Sequence, residues 1–182
     1  MRDQRSDNMP PSPWVARFVA EIATGGPVLD VACGGGRHVR LLLAAGLSVL
    51  GVDRDISAVS AIGPTPRLEL IEADLETGAP PPFAGRRFAG VVVTNYLWRP
   101  LLPAIVAAVA DDGVLIYETF AIGNERHGRP SNPDFLLQPG ELLEAVRGRL
   151  IPIAFEHVRL DSPTRVVQRL CAVGRGHPWA KG

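Results

Sequence analysis

The chain has 182 residues, of which 19 are basic and 19 acidic, for a formal net charge of 0. With 46% apolar residues it is long enough for one domain with a substantial core and needs no disulfide framework. The charge balance argues against a nucleic-acid or anionic-membrane partner, and no apolar run nears the ~20 residues of a membrane span.

Residues 1–12 are polar, charged and proline-bearing, without a signal-peptide pattern, and read as a flexible tail. Ser12-Pro13 is an N-cap followed by proline at the first helical position. Trp14, Val15, Phe18, Val19 and Ile22 make an apolar stripe at helical spacing, with Trp14 and Phe18 read as packing. Thr24-Gly25-Gly26 ends that helix. The two cysteines, Cys33 and Cys171, fit buried free thiols in a reducing cytoplasm.

Residues 27–38 organise the rest. Val28, Leu29 and Val31 predict a buried parallel strand, which stops at Gly34-Gly35-Gly36 and is followed by a helix over 37–45. Strand, glycine turn and helix form the nucleotide-cradling unit of doubly wound α/β folds. The nicotinamide frame G-x-G-x-x-G falls on Ala32, Gly34 and Arg37 and fits at one position of three. The frame acidic-x-G-x-G-x-G falls on Asp30, Ala32, Gly34 and Gly36 and departs only at Ala32. A carboxylate at Asp30 suits a ligand with an ammonium group, which a dinucleotide lacks. The second strand, 47–52, ends at Asp53, the interval at which an acidic residue commonly meets ribose hydroxyls. Asp55 caps a helix expected to begin there.

The third strand, 67–73, ends at Asp74-Leu75-Glu76, and a proline-rich loop leads to a continuous apolar strand at 88–93. Thr94 to Pro100 follow it, then a helix over 100–110, a turn at Asp111-Asp112-Gly113 and a fifth strand, 114–118. Residues 119–140 form a long segment leaving a strand's C-terminal end, where such folds bind ligands; it reads as an acceptor-site lid. A helix over 140–146 leads to strand-like runs at 150–160 and 165–173. Their four-residue connection requires an antiparallel pair, because a parallel crossover needs a dozen or more residues. The expected fold is a doubly wound, mostly parallel seven-stranded sheet with helices on both faces and a C-terminal antiparallel hairpin. It occupies residues 13–174, with a tail at 175–182.

Together, Asp30-x-Ala32-x-Gly34-x-Gly36, Asp53, Asp74 and the final hairpin resemble the class I S-adenosylmethionine-dependent methyltransferases. Within that family the chain resembles the small single-domain, tellurite-resistance-like or general methyltransferase-domain proteins. The resemblance implies S-adenosyl-L-methionine as cofactor. It implies cofactor contacts from Asp30, Ala32, Cys33, Gly34, Gly36, His38, Asp53, Arg54, Asp74, Leu75, Thr94 and Asn95. It also places the end of the fourth strand before the sulfonium and acceptor, where Asn95 and Tyr96 would act. His127, Glu125 and Tyr96 are the candidate bases, and Trp98, Arg99, Asn124, Arg126 and Arg129 the candidate substrate contacts. The four histidines (His38, His127, His157, His177) lack metal-ligand spacing. The chain lacks the Asn-Pro-Pro-Tyr signature of amino-group and exocyclic-base methyltransferases. That argues against adenine, cytosine or glutamine acceptors, and the compact, charge-balanced chain suits a small molecule or oxyanion. The alternatives are an RNA or protein substrate, a catalytically idle cofactor-binding module, and a nicotinamide oxidoreductase.

Overall fold

The computed structural model describes residues 9–23 and 26–181. Seven strands form one sheet in the order β3-β2-β1-β4-β5-β7-β6. They are β1 (Pro27–Val31), β2 (Ser48–Asp53), β3 (Leu68–Glu72), β4 (Phe88–Thr94), β5 (Val109–Phe120), β6 (Ile151–Asp161) and β7 (Thr164–Val173). The first five are parallel, and β7 pairs antiparallel with both β5 and β6. The expected mostly parallel sheet with a terminal hairpin is therefore what the chain forms.

The helices are shorter than the sequence predicts. α1 (Pro13–Phe18) is capped by the Ser12 hydroxyl and passes into a 3-10 turn, Val19–Glu21. Backbone at Ile22 is already extended, and Thr24 and Gly25 lie outside the described residues. α2 is Arg37–Ala44, α3 Leu102–Ala107 and α4 Glu141–Val146. The helix expected from Asp55 is a bend followed by a 3-10 turn, Val59–Ile62. Asp55 caps locally instead, accepting from the Ser57 amide and hydroxyl. β5 starts earlier than expected, because Val109 pairs with Phe88 before the register shifts at 110–113.

Each face of the sheet carries its own core. On one, Trp14, Phe18, Ile22, Val39, Leu42 and Val59 cover Val28, Val49, Val92 and Ile116. On the other, Phe83, Leu97, Ile105, Leu137 and Leu142 cover Leu29, Val91, Leu115 and Tyr117. Trp14 and Phe18 are 2% and 3% exposed, which bears out their reading as packing. Cys33 and Cys171 are buried free thiols. The ends of the chain are partly docked. Residues 1–8 of the segment read as a tail lie outside the described residues, whereas Ser12 is buried. Beyond β7, His177 is buried and meets the Glu21 carbonyl at 3.2 Å. Among the described residues no helix is long and apolar enough to cross a membrane.

Candidate active site

Parallel register gathers the strand ends. Val31 pairs with Val52 on one side and Val93 on the other, while Asp53 pairs with Glu72. The residues that leave β1, β2, β3 and β4 therefore converge on one edge. There they enclose a cleft of about 340 Å³, within the ordinary range of small-molecule sites. Ala32, Asp53, Arg54, Asp74, Leu75 and Asn95, all among the residues expected to meet the cofactor, line it. Tyr96 lines it too, along with Ala73 and Glu76, which flank Asp74 and Leu75.

Asp53 is 6% exposed and joins the glycine turn to its own strand end. One oxygen accepts the Gly34 N–H at 2.8 Å and the other accepts the Asp55 N–H at 3.1 Å. Backbone conformation singles out the same edge. Ala32 and Asn95 are the described non-glycine residues with positive φ, each +54°. For alanine that region costs roughly 1–2 kcal/mol, and such strain gathers where geometry serves a ligand. Gly34 is also left-handed at +53°, and a Cβ there would meet nothing within 4 Å. The turn thus presents bare backbone to open space.

Other predicted cofactor residues have different work. Gly36 faces the core: a Cβ would stand 2.5 Å from Val59 Cγ2, so its bareness admits the 59–62 turn rather than a ligand. The Cys33 side chain is 6% exposed within the same core, and burial pushes its thiol up. His38 is a strap. Its Nε2 accepts the Ser12 N–H at 3.0 Å, so the proton sits on Nδ1, 3.3 Å from Thr94 Oγ1. Burial, with Arg37 nearby, holds His38 down to about 3 and therefore neutral. Asp30 is 1% exposed, and neither oxygen has a partner at hydrogen-bonding geometry. Burial raises it to about 8; Asp53 adds to that push, and Arg37 and the Val39 amide offset part of it.

The polar residues after β4 and β5 mostly hold the fold. Arg99 Nε donates to Glu141 at 2.7 Å, and Nη2 donates to the same carboxylate at 3.0 Å. The same guanidinium also donates to the carbonyls of Asp134 and Leu136 at 2.7 and 2.9 Å. Asn124, 1% exposed, donates to the Pro130 carbonyl and accepts the Val166 N–H. Both side chains were predicted to touch substrate; both instead fasten the 119–140 segment. Gln168, which no local motif marks, does the same from β7, donating to the Gln138 carbonyl and accepting from the Leu142 amide. Leu136 and Leu137 are buried, and Leu137 bonds Phe120 and Ile122. The segment is thus a pinned excursion with an exposed tip, where Arg126, His127 and Arg129 are exposed and do not line the cleft. Trp98 is half-buried against the core. The Tyr96 hydroxyl is buried without a hydrogen-bond partner, and burial pushes its pKa up.

No protein-family model and no curated protein matches the sequence. Solved structures match the fold. A Burkholderia thailandensis 1,6-didemethyltoxoflavin-N1-methyltransferase, with 1,6-didemethyltoxoflavin and S-adenosylhomocysteine bound, superposes with a TM-score of 0.68. It is 18% identical over 94% of this chain and 79% of its own. TehB from Haemophilus influenzae gives 0.66 at 16% identity, over 88% of this chain and 61% of that one. The [4+2]-cyclase SpnF gives 0.66 at 13% identity, over 88% and 79%. The chain has the seven-stranded Rossmann-like fold found in S-adenosylmethionine-dependent methyltransferases. SpnF, named for a cyclisation, shows why the fold alone does not name a reaction.

Proposed function

We propose that the protein is a methyltransferase that binds S-adenosyl-L-methionine in the strand-end cleft and methylates a small acceptor. The observation that carries the reading is Asp53. It is a buried carboxylate on the cleft wall at the end of β2, tied to the glycine turn, the position from which an acidic residue meets ribose hydroxyls in doubly wound folds. The residues present fit the rest of the cofactor. Bare backbone at Gly34 leaves room for close approach. Asp30 is a buried carboxylate without a hydrogen-bond partner, and an ammonium group would supply one. Asp74 and Leu75 offer a carboxylate and an apolar surface to adenine.

When bound, the cofactor supplies an already activated methyl group, so the protein's task is orientation and exclusion of water. Asn95, held in left-handed backbone, and Tyr96, with its unpartnered hydroxyl, stand at the cleft where they can orient an acceptor. His127 lies exposed on the excursion, which argues against it as the base.

Calorimetric titration with S-adenosylhomocysteine, with NADH in parallel, tests the cofactor. Micromolar binding of the first alone is expected; binding of NADH alone, or of neither, overturns the reading. Asp53→Ala should weaken S-adenosylhomocysteine by about 1–3 kcal/mol, because two ribose hydroxyls lose their acceptor.

A further inference from the structure

Residues 10–13 read Pro-Pro-Ser-Pro, which leaves Ser12 with the one backbone N–H between Met9 and Trp14. That N–H opens a closed ring of hydrogen bonds. It donates to His38 Nε2 at 3.0 Å, and His38 Nδ1 donates to Thr94 Oγ1 at 3.3 Å. The next residue, Asn95, donates its N–H to the Glu118 carbonyl at 2.9 Å. Glu118 Oε1 accepts the Ser12 hydroxyl at 3.0 Å, which returns the ring to its start. The segment before α1 is thereby joined to the first turn of α2 and to the C-terminal parts of β4 and β5.

Ser12, His38, Thr94 and Glu118 are all buried, Thr94 the most open at 9% exposed. A bond broken here strands a buried polar group, which is costly. Burial holds His38 neutral, so one ring nitrogen accepts and the other donates. Asn95 is the exposed member of the ring, and it lines the cleft. Its backbone stands at a φ of +54°, a conformation that persists only where the surroundings over-determine it. The sheet supplies part of that hold. The Asn95 N–H continues the β4–β5 ladder, and the Tyr117 hydroxyl donates to the Tyr96 carbonyl at 2.9 Å. Ser12 supplies the rest from outside the sheet, gripping His38 on one side of Asn95 and Glu118 on the other.

We propose that Ser12 and His38 are positioning residues for the cleft: docking of residues 9–13 holds the end of β4, and with it Asn95, in the shape that binds the cofactor. This role rests on the methyltransferase reading above. Docking and cofactor binding then strengthen each other by the same factor.

Hydrogen exchange of the Ser12 amide, followed by NMR on the whole protein, reports docking directly. Calorimetry measures S-adenosylhomocysteine affinity alongside it. Saturating S-adenosylhomocysteine should slow Ser12 exchange by roughly threefold to tenfold, and Ser12→Ala should weaken its binding by a similar factor. Ser12→Thr, which keeps the hydroxyl, should restore affinity. Thr94→Val removes the acceptor of His38 at nearly constant shape, and should speed exchange at Ser12 and weaken binding together. Unchanged affinity in Ser12→Ala overturns the proposal, as does Ser12 exchange that is indifferent to bound S-adenosylhomocysteine. No binding of S-adenosylhomocysteine by the unmodified protein removes the methyltransferase reading instead. The grip on Asn95 is then judged without ligand: Ser12→Ala should speed exchange of the Asn95 amide, and no change there overturns it.

Discussion

The cleft beside Asp53 and the excursion after β5 leave the same edge of one sheet, yet they are built in opposite ways. The cleft is made by the short turns that follow the strands, and the Tyr96 hydroxyl there is buried without a hydrogen-bond partner. The excursion is made by side chains whose capacity is filled internally. Arg99 grips a carboxylate and two carbonyls, and the Asn124 amide is bonded at both ends. Polar residues near a ligand edge are therefore of two kinds. Residual hydrogen-bonding capacity, rather than residue type, separates the kind that awaits a ligand.

Substitutions can sharpen that contrast. The largest effect should come from Gly36→Ala, which forces a Cβ into Val59 at a φ of +78°. Overpacking and left-handed strain together should cost about 3 kcal/mol in denaturant unfolding. A neutral result would mean that the 59–62 turn moves freely. Asn124→Ala should cost about 2 kcal/mol of stability while leaving S-adenosylhomocysteine affinity unchanged. A matching loss of affinity would join the excursion to the cleft and break the comparison.

Asp30→Asn should act in opposite directions on stability and binding. With Asp30 raised by burial to about 8 from the ordinary carboxylate value of 3.8, the folded state holds a proton between those pH values that the unfolded chain releases. Stability therefore falls as pH rises through that window and levels above about 8. The asparagine variant removes this slope and should gain about 1–3 kcal/mol at pH 8. It should also bind S-adenosylhomocysteine more weakly. In the unmodified protein that binding should tighten from pH 6 to 8, because the proton on Asp30 competes with the ammonium. A pH-independent difference in unfolding free energy would show that Asp30 is ionised throughout. The smallest effect belongs to Ala32→Gly. It relieves left-handed strain and loosens the unfolded chain, for a net gain of about 0.5 kcal/mol in unfolding free energy. A loss would mean that Ala32 is unstrained.

Much of this molecule is determined by local sequence. Apolar runs bounded by glycine and proline fix the strands, and the connection expected over 161–164, which the structure tightens to Ser162-Pro163, fixes the antiparallel hairpin because no parallel crossover fits so short a link. The cleft was legible for the same reason. Its residues sit directly after strands, and parallel register carries neighbouring strand ends to one edge. What only the tertiary structure decided is which polar groups are already satisfied. Arg99 and Glu141 are 42 positions apart, as are Asn124 and Val166, while Ser12 and Glu118 are 106 apart. No local pattern encodes such pairings. They, together with the burial of Glu118 between β5 and the hairpin, separate the side chains that hold the fold from those left facing open space.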